Sequence, residues 1–223
     1  MVKKGEIDKK KEHEIEMEKE IVKFVLEISM EFGQEKKGSF FVITDRDIKK
    51  HYKLLYPDLF NGKDINIKQK EATRLLKKLA ELDGAIILSD NGKIINYGAE
   101  IIKTSVYKGY GTRHSAALGI SKIPEVTAIT ASEEDGCVRI FKAGRLLVEI
   151  NPLTKTPKTL SDRISDMITN PNLPLLGGGG LASLAFGVNP LMAAIIFTGS
   201  YTVTKGGMIS LGDFLKSREK SEK

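Results

Sequence analysis

The sequence predicts an α/β domain, and three observations carry that expectation. Ile21, Phe24, Val25, Ile28 and Phe32 recur at spacings of three and four, which places one apolar stripe along a helix. Short runs rich in aromatic and β-branched residues, such as Ser39 to Thr44 and Val126 to Ala131, have the content of buried strands. Helices open the chain, and strands with one short helix follow, within 223 residues: room for one domain and an appendage, and too little for two full enzyme domains.

Taken in order, Lys3 to Glu20 is almost entirely charged and forms an N-terminal extension (1–20) to that first helix. Gly33 and Gly38 end the helix, and the strand Ser39 to Thr44 follows. Asp45 to Asp64 reads as irregular surface with short helical pieces. Lys68 to Leu82 is a second amphipathic helix, with Ala72, Leu75, Leu76, Leu79 and Leu82 on one side. Ala85 to Leu88 and Lys93 to Tyr97 flank Asn91-Gly92, a tight-turn dipeptide, and so form a hairpin. A helix over Arg113 to Ser121 precedes three strands, Val126 to Ala131, Cys137 to Ala143 and Arg145 to Ile150. The domain closes near Asn151-Pro152, giving 21–152 as its span.

The remainder, 153–223, departs from this pattern. No charged side chain occurs between Asp166 and Lys205, and four glycines run from Gly177 to Gly180. A helix over Leu181 to Val203 would be about 35 Å long, enough for a bilayer core of about 30 Å, but Asn189-Pro190 interrupts it. Basic residues on both sides give no orientation, so membrane contact through 173–203 and self-association of small-residue helices both stay open.

Composition narrows the function classes. With 41% hydrophobic and 29% charged residues the chain is neither disordered nor low-complexity. A single cysteine, Cys137, excludes a disulfide framework or a cysteine-based zinc cluster, and with the charged start it points to a cytoplasmic address. The net charge of +6 is divided evenly between 1–82 and 83–223, without an arginine cluster, so nucleic acid is not the expected partner.

Three segments place phosphate-friendly groups at element ends. Asp83-Gly84-Ala85 sets a carboxylate and a permissive glycine before a strand, although Asp-Gly is also a plain turn. Gly111-Thr112-Arg113-His114-Ser115 opens a helix with free N–H groups, a guanidinium and an imidazole; read locally, Thr112 is simply an N-cap. Ser132-Glu133-Glu134 follows directly on a strand. Strand and helix ends are where an α/β sheet gathers a ligand, and a carboxylate beside a phosphate cradle suits metal-assisted phosphoryl or nucleotidyl transfer.

In this order and spacing, Asp83-Gly84-Ala85-Ile86-Ile87-Leu88, Gly111-Thr112-Arg113-His114-Ser115-Ala116-Ala117 and Ser132-Glu133-Glu134 resemble the diadenylate cyclase (DAC) domain, also called the DisA N-terminal domain. The resemblance spans Ile21 to Ile150 and implies a central mixed β-sheet flanked by helices. It further implies condensation of two ATP into cyclic di-AMP and two pyrophosphates, with Mg²⁺ or Mn²⁺ as cofactor. On that reading Asp83 holds the metal and helps activate a ribose 3′-hydroxyl. Gly84, Ala85 and Ile101 line the ribose and adenine pocket; Gly111, Thr112, Arg113 and His114 cradle phosphates; Ser132 meets the terminal phosphates and Glu133 supports the site. Asp83, Arg113 and His114 are then the catalytic residues.

The resemblance also implies a homo-oligomer with two domains face to face, because each contributes half of the reaction. The chain departs from the family pattern at Ser115, where a basic residue is usual, and at Leu82, where some members carry histidine; Lys103, Lys108 or Lys122 would supply the missing charge. Two other readings compete. One is a silent ATP sensor using the same pocket. The other is a winged-helix DNA-binding module built from helix Lys68 to Leu82 and hairpin Ala85 to Tyr97.

Overall fold

The computed structural model describes residues 4–57, 65–69, 71–107, 110–153 and 160–169. Seven strands form one mixed sheet in the order β2-β4-β3-β1-β5-β6-β7. They are β1 (Ser39–Ile43), β2 (Tyr52–Leu54), β3 (Ala85–Leu88), β4 (Ile94–Ile101), β5 (Thr127–Ala131), β6 (Val138–Lys142) and β7 (Arg145–Ile150). Only β1 and β3 run parallel; every other neighbouring pair is antiparallel. Among the described residues four α-helices cover the sheet: α1 (Lys4–Gln34), α2 (Ala72–Ala80), α3 (Thr112–Ile120) and α4 (Leu160–Thr169).

Strand alternation divides the core in two. Phe41, Ile43, Ile86, Leu88, Ile129, Ile140 and Val148 face α1, α2 and α4. Phe40, Val42, Ala85, Ile87, Ala99, Ala128 and Phe141 face α3 on the other side. Successive side chains point to opposite faces, so a strand such as Ser-Phe-Phe-Val-Ile, buried throughout, is the sequence expected at the centre of a sheet covered twice.

The helix and strand order matches the reading of the sequence, with instructive differences. The charged residues before Ile21 are not set off: α1 runs unbroken across 20 and 21. β2 lies inside the stretch read as irregular; three residues paired only to β4 at a sheet edge leave no periodicity to detect. α2 is shorter than Lys68 to Leu82, and it buries Ala72, Leu76 and Ala80 while Leu75 and Leu82 face solvent. The hairpin forms, yet it is no free wing, because β3 sits between β4 and β1 with every residue buried. That removes the structural basis of the winged-helix alternative.

α4 falls within the segment assigned to the apolar tail. Leu160, Ile164 and Ile168 recur every fourth residue and are buried with the α1 side of the core. The membrane-contact reading of 173–203 lies outside the described residues. Among the described residues, no helix is long and apolar enough to cross a membrane.

Candidate active site

Two local features create an open site on the α3 face of the sheet. α3 begins at Gly111, which adopts an extended conformation and makes no side-chain cap hydrogen bond. Thr112 is therefore the first helical residue and not the cap. Nothing lies within 4 Å of where a side chain on Gly111 would project, and the N–H groups of the first turn have no side-chain cap. Gly84, at the entry to β3, takes φ +92, and a Cβ there would stand 2.6 Å from the Gly98 carbonyl carbon. Glycine is required there for the close approach of β3 and β4, which brings Asp83 to the rim of the site.

A cavity of about 680 Å³ results, and the three sequence segments meet around it. Asp83, Gly84, Ile101, Gly111, Thr112, Arg113, His114, Ser132 and Glu133 all line its walls. Ala85 does not: its methyl group is buried with Ile87 and Ala99 under α3. Phe40, Glu100, Tyr110 and Asp135 also line the walls and were not singled out from the sequence.

Arg113 donates from Nη1 to Glu133 Oε1 at 3.0 Å, tying the start of α3 to the turn after β5. That turn is compact, with Ser132 Oγ accepting from the N–H groups of Glu134 and Asp135. Asp135 in turn caps the N–H of Cys137 at 2.9 Å. Cys137 is otherwise packing, its thiol pushed up by burial.

His114 is buried beside Arg139, whose Nη1 lies 3.2 Å from His114 Nε2. Burial first, and then the charges of Arg139 and Arg113, hold its imidazole down to about 4 despite the opposing Asp135. It therefore contributes no positive charge at neutral pH.

Ser115 does not reach the cavity. Its Oγ accepts from the Tyr107 N–H and its carbonyl accepts from the Ser105 N–H, so it fastens the segment after β4 to α3. Lys103 and Lys122 do not line the cavity either, and Lys108 lies outside the described residues. The walls thus carry five carboxylates (Asp83, Glu100, Glu133, Glu134 and Asp135) against one guanidinium, Arg113. A polyphosphate entering such a site needs a divalent counter-ion. Asp83 has the chemistry to hold one: an exposed oxygen donor without a hydrogen-bonding or ionic partner among the described residues. Among the described residues no group of three or more His, Cys, Asp or Glu could hold a metal ion.

Arg139, behind the cavity wall, is a further residue of this region that the motifs did not reveal. Its signal in the sequence is a lone charge inside the apolar strand Val138-Arg139-Ile140-Phe141.

An α/β sheet that presents a helix start without a side-chain cap, a guanidinium and an exposed carboxylate to one opening offers the groups that a phosphate-bearing ligand requires. Residues 28–146, more than half of the chain, match the family model described as "DisA bacterial checkpoint controller nucleotide-binding" (DAC), and the chain belongs to that family. A diadenylate cyclase from Methanocaldococcus jannaschii is 34% identical over 146 residues, covering 61% of this chain and 47% of that protein. One from Haloferax volcanii is 32% identical over 143 residues, covering 59% and 53% respectively. The chain thus spans about half the length of these curated relatives. Among solved structures, a DacA double mutant from Staphylococcus aureus aligns with a TM-score of 0.44 at 22% identity, over 57% of this chain and 84% of that one.

Proposed function

We propose that this protein is a diadenylate cyclase, converting two ATP into cyclic di-AMP and two pyrophosphates. The observation that carries the reading is the convergence of Asp83, the Gly111–His114 helix start and Ser132-Glu133 on one cavity of about 680 Å³, large enough for a nucleotide.

In each half-reaction a ribose 3′-oxygen attacks the α-phosphorus of the other ATP, a new P–O bond forms, and the bond to pyrophosphate breaks. Asp83 orients the attacking hydroxyl and receives its proton. Asp83 would also hold a divalent cation, which when bound would supply charge neutralisation at the phosphorus under attack. The amides at the start of α3 and Arg113 stabilise charge on the phosphoryl oxygens and on the departing pyrophosphate. Glu133 holds Arg113 in place, Ser132 lines the end of the cavity assigned to the terminal phosphates, and Gly84 and Ile101 bound the nucleoside side.

The cavity opens to solvent on a single chain, whereas the chemistry needs two ATP molecules with reacting ends together. A second copy of this chain, facing the first, supplies the second ATP. The lone protomer is accordingly inactive.

The test is incubation of purified protein with ATP and Mg²⁺ or Mn²⁺, with detection of cyclic di-AMP by mass, beside Asp83→Asn. Product from the wild type and none from the variant is the expected result. ATP binding without product would replace this reading with the silent sensor.

A further inference from the structure

Arg139 is 2% exposed and lines no part of the cavity, yet it touches three residues that do. Its Nη1 lies 3.2 Å from His114 Nε2 and 3.3 Å from Asp135 Oδ1, and its Nη2 donates to Asp135 Oδ2. Its guanidinium carbon stands 4.5 Å from the centre of the Tyr110 ring, whose neighbour Tyr107 stacks with ring centres 4.3 Å apart. The remaining Nε donates to Glu149 Oε2 at 2.6 Å, from the residue directly opposite on β7. Strand register thus anchors the fork, and the fork holds the wall.

The chemistry of the contact with His114 is one-directional. A guanidinium carries only donors, so Nε2 accepts and the ring proton must sit on Nδ1. The groups facing the imidazole are Arg139 from β6, Asp135 from the preceding turn, Arg113 from its own helix, and the rings of Tyr110 and Phe141. Asp135 cannot neutralise His114 by taking a proton. Burial works to raise its carboxyl, but hydrogen bonds from Arg139, the Cys137 N–H and Ser132 outweigh that and hold it below the usual carboxylate range.

We propose that Arg139 is a positioning residue for this site: it locks His114 as a neutral imidazole protonated on Nδ1 and fixes Tyr110 and Asp135 around it. The wall then meets phosphate oxygens with a fixed hydrogen-bond donor in place of a titrating charge. This rests on the reading of the cavity as a phosphate site, but the state of His114 is measurable without turnover.

The experiment is ¹⁵N-edited NMR of the histidine rings in the full chain between pH 4 and 8, with Arg139→Met and Arg139→Lys alongside the wild type. In the wild type His114 shows the Nδ1-protonated neutral pattern at pH 7 and stays neutral at pH 5.5. In Arg139→Met the pattern becomes mixed and the titration midpoint moves up, while burial still holds it below the ordinary value of about 6.5. Arg139→Lys keeps the charge, so the midpoint stays low while the single tautomer is lost. At saturating ATP, turnover falls about a hundredfold in Arg139→Met and recovers in part in Arg139→Lys. An Nε2-protonated ring or a midpoint near 6.5 in the wild type overturns the proposal, whether or not Arg139→Met folds. A wild type that makes no cyclic di-AMP overturns the cyclase reading, and the His114 tautomer still decides this one.

Discussion

Arg113 and Glu133 join two chain segments twenty residues apart through one contact, Nη1 to Oε1 at 3.0 Å, and both atoms lie against Gly38. A Cβ added at Gly38 would fall on the guanidinium and the carboxylate together. Both are the ends of flexible side chains, 30% and 60% exposed, so the pair gives way before the backbone does.

Gly38→Ala is therefore expected to leave the fold in place and displace Arg113. Cyclic di-AMP production should fall at least tenfold, while the melting temperature moves by less than about 4 °C. A large fall in melting temperature with ATP affinity untouched would contradict this division of roles.

Gly84 presents the opposite case. Its φ of +92 and the backbone of Gly98 and Ala99, at 2.6 and 2.8 Å from a built Cβ, leave an alanine nowhere to go without separating β3 from β4. Gly84→Ala should lower unfolding stability by about 2 kcal/mol in urea titrations. An unchanged midpoint would mean that the strand pair opens freely, and the placement of Asp83 would need another cause.

Much of this was legible in the sequence because the relevant signals are local. The strand Ser39–Ile43 and the Asn91-Gly92 turn are each decided by residues a few positions apart, whereas α3 begins at Thr112, one residue before the expected start. The three segments that line the cavity were legible because each sits where an element begins or ends. What stayed hidden was decided across the sheet. Arg139 owes its role to Glu149 opposite it on β7 and to His114 on α3, and Ser115 turned from the cavity because Ser105 and Tyr107 engage it. The reason for Gly84 also shifted: the close neighbour is the facing strand, where the sequence had suggested a ligand.

Asp90 supplies a pH dependence. Burial first, and then the carboxylates of Asp45, Glu18 and Glu125, push its carboxyl up to about 7, with Lys142 acting in the opposite direction. An ordinary aspartate in the unfolded chain ionises near 4. The folded chain therefore holds the Asp90 proton more tightly, and the stability this gives is complete below about 4 and lost as pH rises through about 7. Asp90→Asn should exceed the wild type in stability by roughly 2 kcal/mol at pH 8, allowing for partial exposure, with the gain shrinking to near zero by pH 4. Denaturation midpoints of both proteins at pH 8, 6 and 4 measure this, and a gain that does not vary with pH would rule out the titration of Asp90 as its source.

The last prediction concerns α4, which lies beyond residues 28–146 that match the family. Two kinds of contact hold it to α1. Leu160, Ile164 and Ile168 enter the core, while Lys19 pairs with Asp166 at 2.7 Å and Lys23 with Asp162 at 2.6 Å on the rim. Removing buried methyl groups costs transfer energy plus a cavity, whereas exposed ion pairs are screened by water and salt. Ile164→Ala should cost about 3 kcal/mol, and Asp162→Asn should leave the melting temperature nearly unchanged. α4 seals the α1 side of the core while the cavity opens on the opposite face of the sheet, so Ile164→Ala should also keep its ATP affinity at temperatures where it remains folded. Equal losses from the two substitutions would mean that charge, and not the apolar stripe, fastens the helix.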